Sequence, residues 1–228
     1  MSRFESYARL GGDDRFRWIA ERSLTRFFEL DPSVKKLRKR LSDVLSAAEN
    51  PDEPPDEYHE AWIELDPIEE ERDQECIVAT VFTGLYFEAL IYDYGASCLG
   101  DKYVRNYLDK LDFMSKWIIV PRLTVGKEID KAGKAYAALH QLHKDRNSLV
   151  HLKSRELSFT PEQMTEYLAE REKDLQRSAQ NCKTALESVV QELYELDPEH
   201  PKLRLLRESA KHNTSLQPTS GRDAPFGG

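Results

Sequence analysis

The chain has few of the residues that brace small secreted domains. It holds three cysteines in 228 residues, at positions 76, 98 and 182, a spacing that fits neither a disulfide framework nor a metal site. Small buried thiols in a reducing compartment are the expected arrangement. The N-terminus lacks the apolar core of a secretory signal, and no run approaches 18 uncharged apolar residues. We therefore expect a cytoplasmic protein without a membrane-spanning helix.

The common cofactor and nucleotide motifs are also missing. The sequence contains no GxxxxGK[ST], GxGxxG, HExxH, CxxC or GxSxG string, which argues against the enzyme classes that depend on them. No glutamate precedes a histidine by three residues, as di-metal helical bundles require. We therefore expect no cofactor and no bound metal. With only ten glycines and eleven prolines, the chain is not a collagen-like or linker-like sequence either.

Charge is distributed unevenly along the chain, whose formal net charge is −8. Residues 101–155 carry 12 basic and 6 acidic side chains, a local net charge of +6 that is typical of a nucleic-acid surface. Residues 49–75 carry 13 acidic side chains, one arginine and four prolines. This composition predicts an exposed connector rather than one continuous helix. The alternative is an acidic flap that competes with a polyanion for residues 101–155.

Apolar residues recur at helical spacing along nearly the whole chain. We predict helices over residues 13–30, 32–45, 72–99, 101–111, 128–151, 161–196 and 202–211, with one further turn at 115–120. Residues 72–99 are apolar nearly all the way round, so this helix should be central and buried. Asp31-Pro32 predicts a helix start, Gly100 and Pro121 predict helix ends, and Thr160-Pro161 opens a capping box. The result is an all-α bundle.

Chemistry-bearing side chains concentrate in AALHQLHKDRNSLVHLKSR, residues 137–155. A neutral histidine can take the 2′-OH proton of RNA, and a protonated histidine can donate a proton to the leaving 5′ oxygen. An arginine can bind the phosphate between them. Arg146 and His151 are five residues apart, about 140° on a straight helix, so they converge only if the helix ends near Val150 or a second copy contributes. His140 and His143 are either bundle-edge residues or two metal ligands without an obvious third.

The string RNSLVH, Arg146 to His151, resembles the R-x4-6-H signature of the HEPN superfamily, in which a polar residue often follows the arginine. LDFMSKWIIVPRLTVG, residues 111–126, is similar to the segment before the signature in some bacterial HEPN-like proteins. FEALIYDY, residues 87–94, resembles the helix that packs behind it. The likeness covers roughly residues 72–196.

The resemblance implies an up-and-down helical bundle that forms a homodimer and acts as a metal-independent endoribonuclease. It also implies a toxin or antiphage-defence role, with an antitoxin or regulatory protein as a further partner. Arg146 and His151 would be catalytic, and Asn147 would support them. Glu88 and Asp93, from the helix behind, would orient the catalytic pair, or each would simply pair with a lysine at the bundle edge.

Three further basic residues are expected to contact RNA: Lys144, Lys153 and Arg155. Tyr92, Tyr94, Tyr103 and Tyr107 could stack on bases, but their helical spacing beside leucine and isoleucine favours packing inside the bundle. We divide the chain into N-terminal helices (1–48), an acidic connector (49–71), a HEPN-like bundle (72–211) and a mobile tail (212–228). The alternative functions are a HEPN-like binding module without chemistry and a structural helical adaptor.

Overall fold

The computed structural model describes residues 13–48, 55–150 and 160–215. All regular structure in these ranges is helical, which confirms the all-α fold class. The helices are α1 Asp13–Ala47, α2 Asp56–Leu99, α3 Asp101–Tyr103, a π-helical turn Val104–Leu108, α4 Phe113–Val125, α5 Lys134–Val150, α6 Pro161–Leu196 and α7 Pro201–Ser215. Because α7 reaches Ser215, the predicted tail is wrong for residues 212–215, and the rest of it lies outside the described residues.

The predicted break at Pro32 is wrong, because α1 continues through this proline as one helix. A proline inside a helix removes a backbone hydrogen bond and costs about 3 kcal/mol. Burial on both sides offsets that cost, since Phe27 and Val34 are completely inaccessible to solvent. Asp31 is not a cap; its carboxylate accepts a hydrogen bond from Arg72 of α2.

The predicted connector is also wrong from Asp56 onward, where α2 begins and then passes through Pro67. Leu65 is buried in an apolar cluster against α1. Ion pairs join the two antiparallel helices, among them Arg26–Glu71, Arg38–Glu69 and Arg40–Glu64. These carboxylates therefore neutralise α1 instead of forming a flap over residues 101–155. Residues 49–54 lie outside the described part of the chain.

The C-terminal half of α2 is the central helix, as predicted. Five of its large side chains are completely buried: Tyr86, Phe87, Leu90, Ile91 and Tyr94. Trp117 of α4 packs edge-on against Phe87, and α2 ends at Gly100 with φ +88°. We expected no membrane-spanning helix, because no run approaches 18 uncharged apolar residues. By length and composition alone, however, α2 is long and apolar enough to cross a membrane when a stretch of 18 residues is allowed up to two charges. Half of that stretch is buried inside the bundle, as in the core helix of a soluble protein.

Two further helix boundaries differ from the prediction. α4 begins at Phe113 and continues past Pro121 to Val125. α5 begins at Lys134 rather than at residue 128, because residues 130–133 form a turn in which Gly133 N–H donates to the Asp130 carbonyl. The helix start at Thr160 is confirmed: its hydroxyl accepts from Gln163 N–H at 3.3 Å, which is the N-cap half of the predicted capping box.

A completely buried arginine joins α1, α2 and α6. The guanidinium of Arg72 donates to Asp73 at 2.8 Å, to Glu172 at 2.8 Å and to Asp31 at 3.4 Å. These hydrogen bonds and the attraction of the carboxylates raise the pKa of Arg72, against the opposing effect of burial. Sequence reasoning placed Arg72 only at the start of a helix and did not identify this network.

The three cysteines should differ in reactivity. Burial raises the pKa of Cys76 to about 12 and that of Cys182 to about 11, whereas Cys98 is only partly buried. Because the thiolate is the reactive form, iodoacetamide at about pH 8 should label Cys98 and spare the other two. Peptide mass spectrometry measures this, with urea-unfolded protein as the fully labelled control. Rapid labelling of Cys76 in the folded protein would contradict its burial.

Candidate functional site

Arg146 lies one turn before the last described residue of α5 and reaches across to α2. Its Nη1 donates to Glu88 Oε2 at 3.1 Å, and 26% of its side chain is exposed. A guanidinium has five N–H donors, so this contact orients the group and leaves further N–H donors for a second acceptor. The structure thus brings together Arg146 and Glu88, two of the residues singled out from the sequence.

Gly84 makes this contact possible. A Cβ atom at Gly84 would lie 2.8 Å from Arg146 Cδ, closer than such atoms approach each other in proteins. Gly84 and Glu88 are one turn apart on α2 and therefore share a helix face. The bare backbone of Gly84 supports the aliphatic part of Arg146 while Glu88 holds its charged end. Gly84 was not among the residues predicted from the sequence, although a glycine inside a buried helix often marks a close approach.

Lys116 is the second cation at this site, and only 5% of the residue is exposed. Its Nζ lies 3.7 Å from Glu88 Oε1 and 3.3 Å from Asp109 Oδ1. Glu88 therefore sits between two cations, and the contacts form an alternating series: Asp109, Lys116, Glu88, Arg146. Since the formal charges of these four residues cancel, an incoming phosphate competes with Glu88 for both cations.

His143 belongs to the same part of α5. Its ring stacks on Phe113 with centroids 5.5 Å apart and planes 1° apart. Its Nε2 lies 3.1 Å from Nδ2 of Asn147, so Asn147 orients His143, where we had expected it to orient Arg146 or His151. The sequence signal that could have identified this pair was their i, i+4 spacing.

Of the remaining predicted residues, Lys144 and Asp93 lie in the described part of the chain. His151, Lys153 and Arg155 lie outside the described residues, while Lys144 is exposed on α5. Asp93 follows the second of its two predicted alternatives: it pairs with a lysine, Lys202 of α7, at 3.1 Å, and does not orient Arg146. Asp93 is five residues from Glu88, about 140° around α2, which explains why only Glu88 faces Arg146.

Within residues 13–48, 55–150 and 160–215, no group of three or more histidine, cysteine or acidic side chains is arranged to hold a metal ion. The described part of the candidate site consists of Arg146, Glu88, Lys116, His143 and Asn147. They can bind a phosphate and move a proton, the two operations that phosphodiester cleavage requires.

Comparison with protein-family models, curated proteins and solved structures finds no match for this chain.

Proposed function

We propose that the protein is a metal-independent endoribonuclease of the HEPN type that acts as a homodimer. The observation that carries this proposal is the placement of Arg146. It lies near the end of α5, is seated on Gly84 and Glu88, and precedes His151 by five residues. A partly exposed, oriented arginine in a basic segment is suited to binding a scissile phosphate.

In the proposed reaction the RNA 2′-OH attacks the adjacent phosphorus, and the 5′ oxygen leaves. His151 takes the 2′-OH proton, and a protonated His151 supplies the proton to the leaving oxygen, giving a cyclic phosphate. Arg146 binds the phosphate and stabilises the charge that develops on its equatorial oxygens. In a homodimer, a second copy places its own Arg146 and His151 across a shared cleft, so one histidine can act as the base and the other as the acid. Arg146 of one copy can then act with His151 of the other, so the angle of about 140° between them on a single helix is no obstacle.

The test is RNA cleavage by the purified protein in EDTA. Arg146→Ala should reduce cleavage about 10²- to 10³-fold, and His151→Ala about 10²- to 10⁴-fold. Arg204→Ala, which removes an exposed arginine on α7, is the matched control and should retain full activity. Circular dichroism checks that each variant remains helical. Full cleavage by His151→Ala would refute the assignment of this histidine.

His143 provides an internal comparison, because it is a second histidine beside Arg146. His143→Ala should reduce cleavage much less than His151→Ala, since its ring is fixed on Phe113 and held by Asn147. The opposite order would transfer the acid–base role to His143 while leaving Arg146 as the phosphate ligand.

The biological setting follows from the resemblance alone. We propose a cytoplasmic toxin or antiphage-defence effector whose activity an antitoxin or regulatory protein restrains. Release of a partner would then be the step that permits RNA cleavage. Co-purification of the natively expressed protein, followed by recovery of cleavage after removal of the bound partner, tests this setting.

A second candidate is a HEPN-like module that binds RNA, a nucleotide or a protein without cleaving it. One observation favours it: Glu88 already neutralises Arg146 in the structure. This module would bind RNA yet leave both structured and unstructured RNA intact at high protein concentration. Sedimentation adds a discriminating result, because a strict monomer contradicts a catalytic site that is assembled from two copies.

A further inference from the structure

Two tyrosines that were expected to pack inside the bundle are exposed instead. Tyr103 is 44% exposed and Tyr107 is 67% exposed, and their ring centroids lie 5.2 Å apart with an interplanar angle of 47°. They form one aromatic surface on the segment between α2 and α4. Because the two rings contact each other, they form a contiguous exposed aromatic patch, and such patches are candidate interaction surfaces.

The local backbone explains why these rings face outward. The predicted single helix over residues 101–111 is instead divided into α3 and a π-helical turn, closed by Asp109 N–H donating to Val104 O at 2.9 Å. Val104 and Leu108 are buried and anchor the segment to the core. Each tyrosine directly precedes one of these anchors. The tyrosine pair is therefore carried on a firmly held backbone, and π-helical turns are frequent at functional sites.

Three exposed cations lie on the same segment as the aromatic pair. Lys102, Arg105 and Lys110 are exposed, and none of them forms an ion pair with a described residue. The nearby carboxylate of Asp109 is engaged by Lys116. Exposed aromatic rings among unpaired cations are the combination by which proteins bind single-stranded nucleic acid: bases stack on the rings and phosphates contact the cations.

This surface is linked to the candidate site by direct contacts. Asp109, two residues after Tyr107, contacts Lys116, which contacts Glu88, which in turn holds Arg146. These contacts connect the segment that carries the two tyrosines with the residues that hold Arg146.

We propose that Tyr103 and Tyr107, with Lys102, Arg105 and Lys110, bind single-stranded RNA by base stacking and present it to Arg146. This inference rests on the proposed function, because it identifies the strand state of the RNA substrate. Stacking needs unpaired bases, so the surface selects single strands and loops over duplex while discriminating little between bases.

Fluorescence anisotropy with the full chain and a labelled 2′-O-methyl oligouridine tests the proposal, since this probe cannot be cleaved by 2′-OH attack. Tyr107→Ala should weaken binding about 5- to 150-fold. Tyr107→Phe keeps the stacking ring and should bind nearly as tightly as the unaltered protein. Tyr167→Ala is the matched control, because Tyr167 is 45% exposed on α6, and should leave binding unchanged.

The outcomes separate this inference from the proposed function. Unchanged binding by Tyr107→Ala, equal loss in Tyr167→Ala, or equally tight binding of a duplex probe would each overturn the stacking surface. If EDTA-resistant cleavage still depended on Arg146, the ribonuclease proposal would survive that result. Tyrosine-dependent binding without any RNA cleavage would support the surface and refute the nuclease. Absence of binding by the unaltered protein would overturn the surface as well.

Discussion

Replacing Arg72 with alanine is expected to lower the free energy of unfolding by about 3–5 kcal/mol. Arg72 is completely buried, and its guanidinium is the common partner of Asp31, Asp73 and Glu172. Removing it leaves three carboxylates close together in a poorly solvated junction. Urea denaturation followed by circular dichroism measures the loss.

The exposed Arg26 provides the control, because it forms an ion pair with Glu71 between the same two helices at 2.7 Å. Arg26→Ala should leave the urea midpoint nearly unchanged, since solvent screens exposed pairs. Equal effects of the two substitutions would show that burial does not determine the strength of the Arg72 network.

Acid should weaken the same junction. Burial alone would raise the pKa of Glu172, but hydrogen bonds from Arg72 and Gln176 hold it below its ordinary value. The folded state therefore binds fewer protons here than the unfolded chain, in which glutamate titrates near about pH 4.3. The contribution of Glu172 to the free energy of unfolding is therefore complete above that pH, and it is lost as the pH falls through the lowered pKa. Urea midpoints should fall less steeply with acidification in Arg72→Ala than in the unaltered protein.

Replacing Gly84 with alanine is expected to reduce RNA cleavage about 100-fold without lowering the free energy of unfolding. The new Cβ would lie 2.8 Å from Arg146 Cδ, so the flexible arginine side chain must move and lose its position on Glu88. Alanine also favours the helix by about 0.5–1 kcal/mol over glycine. Cleavage kinetics and urea denaturation of the same preparation separate the two effects.

A double-mutant cycle isolates the cause of this loss. In an Arg146→Ala background, Gly84→Ala should change cleavage no further, because there is no arginine side chain left to displace. Additive losses would mean that Gly84 acts through another part of the site. Full activity of Gly84→Ala alone would contradict the role of this glycine as the support for Arg146.

Local sequence signals were reliable where a residue acts within its own turn of helix. The cap at Thr160 and the helix end at Gly100 are confirmed. The same kind of rule failed at Pro32, Pro67 and Pro121, each of which lies inside a helix. The rule that proline ends a helix reflects the loss of one backbone hydrogen bond. It does not include the free energy gained from the apolar surface that a continuous helix buries against its neighbours.

The candidate site shows the same division. The sequence identified Arg146, Asn147 and Glu88 as a group, and the contact between Arg146 and Glu88 is present. It could not distinguish Glu88 from Asp93, since that choice depends on the rotation of α2 relative to α5. It also could not identify Lys116, whose position is fixed by the crossing of α4 and α2.

The sequence by itself determined that the described chain is helical, that the second half of α2 is its core, and that Arg146 and Asn147 lie on a helix. Apolar periodicity and capping residues act over three or four positions, so these features can be predicted from neighbouring residues in the sequence. Only the tertiary structure decided which charges meet and which aromatic rings are exposed. Arg72 and Glu172 are 100 positions apart, and Glu88 and Arg146 are 58 apart. Such partners are selected by how the helices cross, because burial and close packing between helices determine which side chains come into contact.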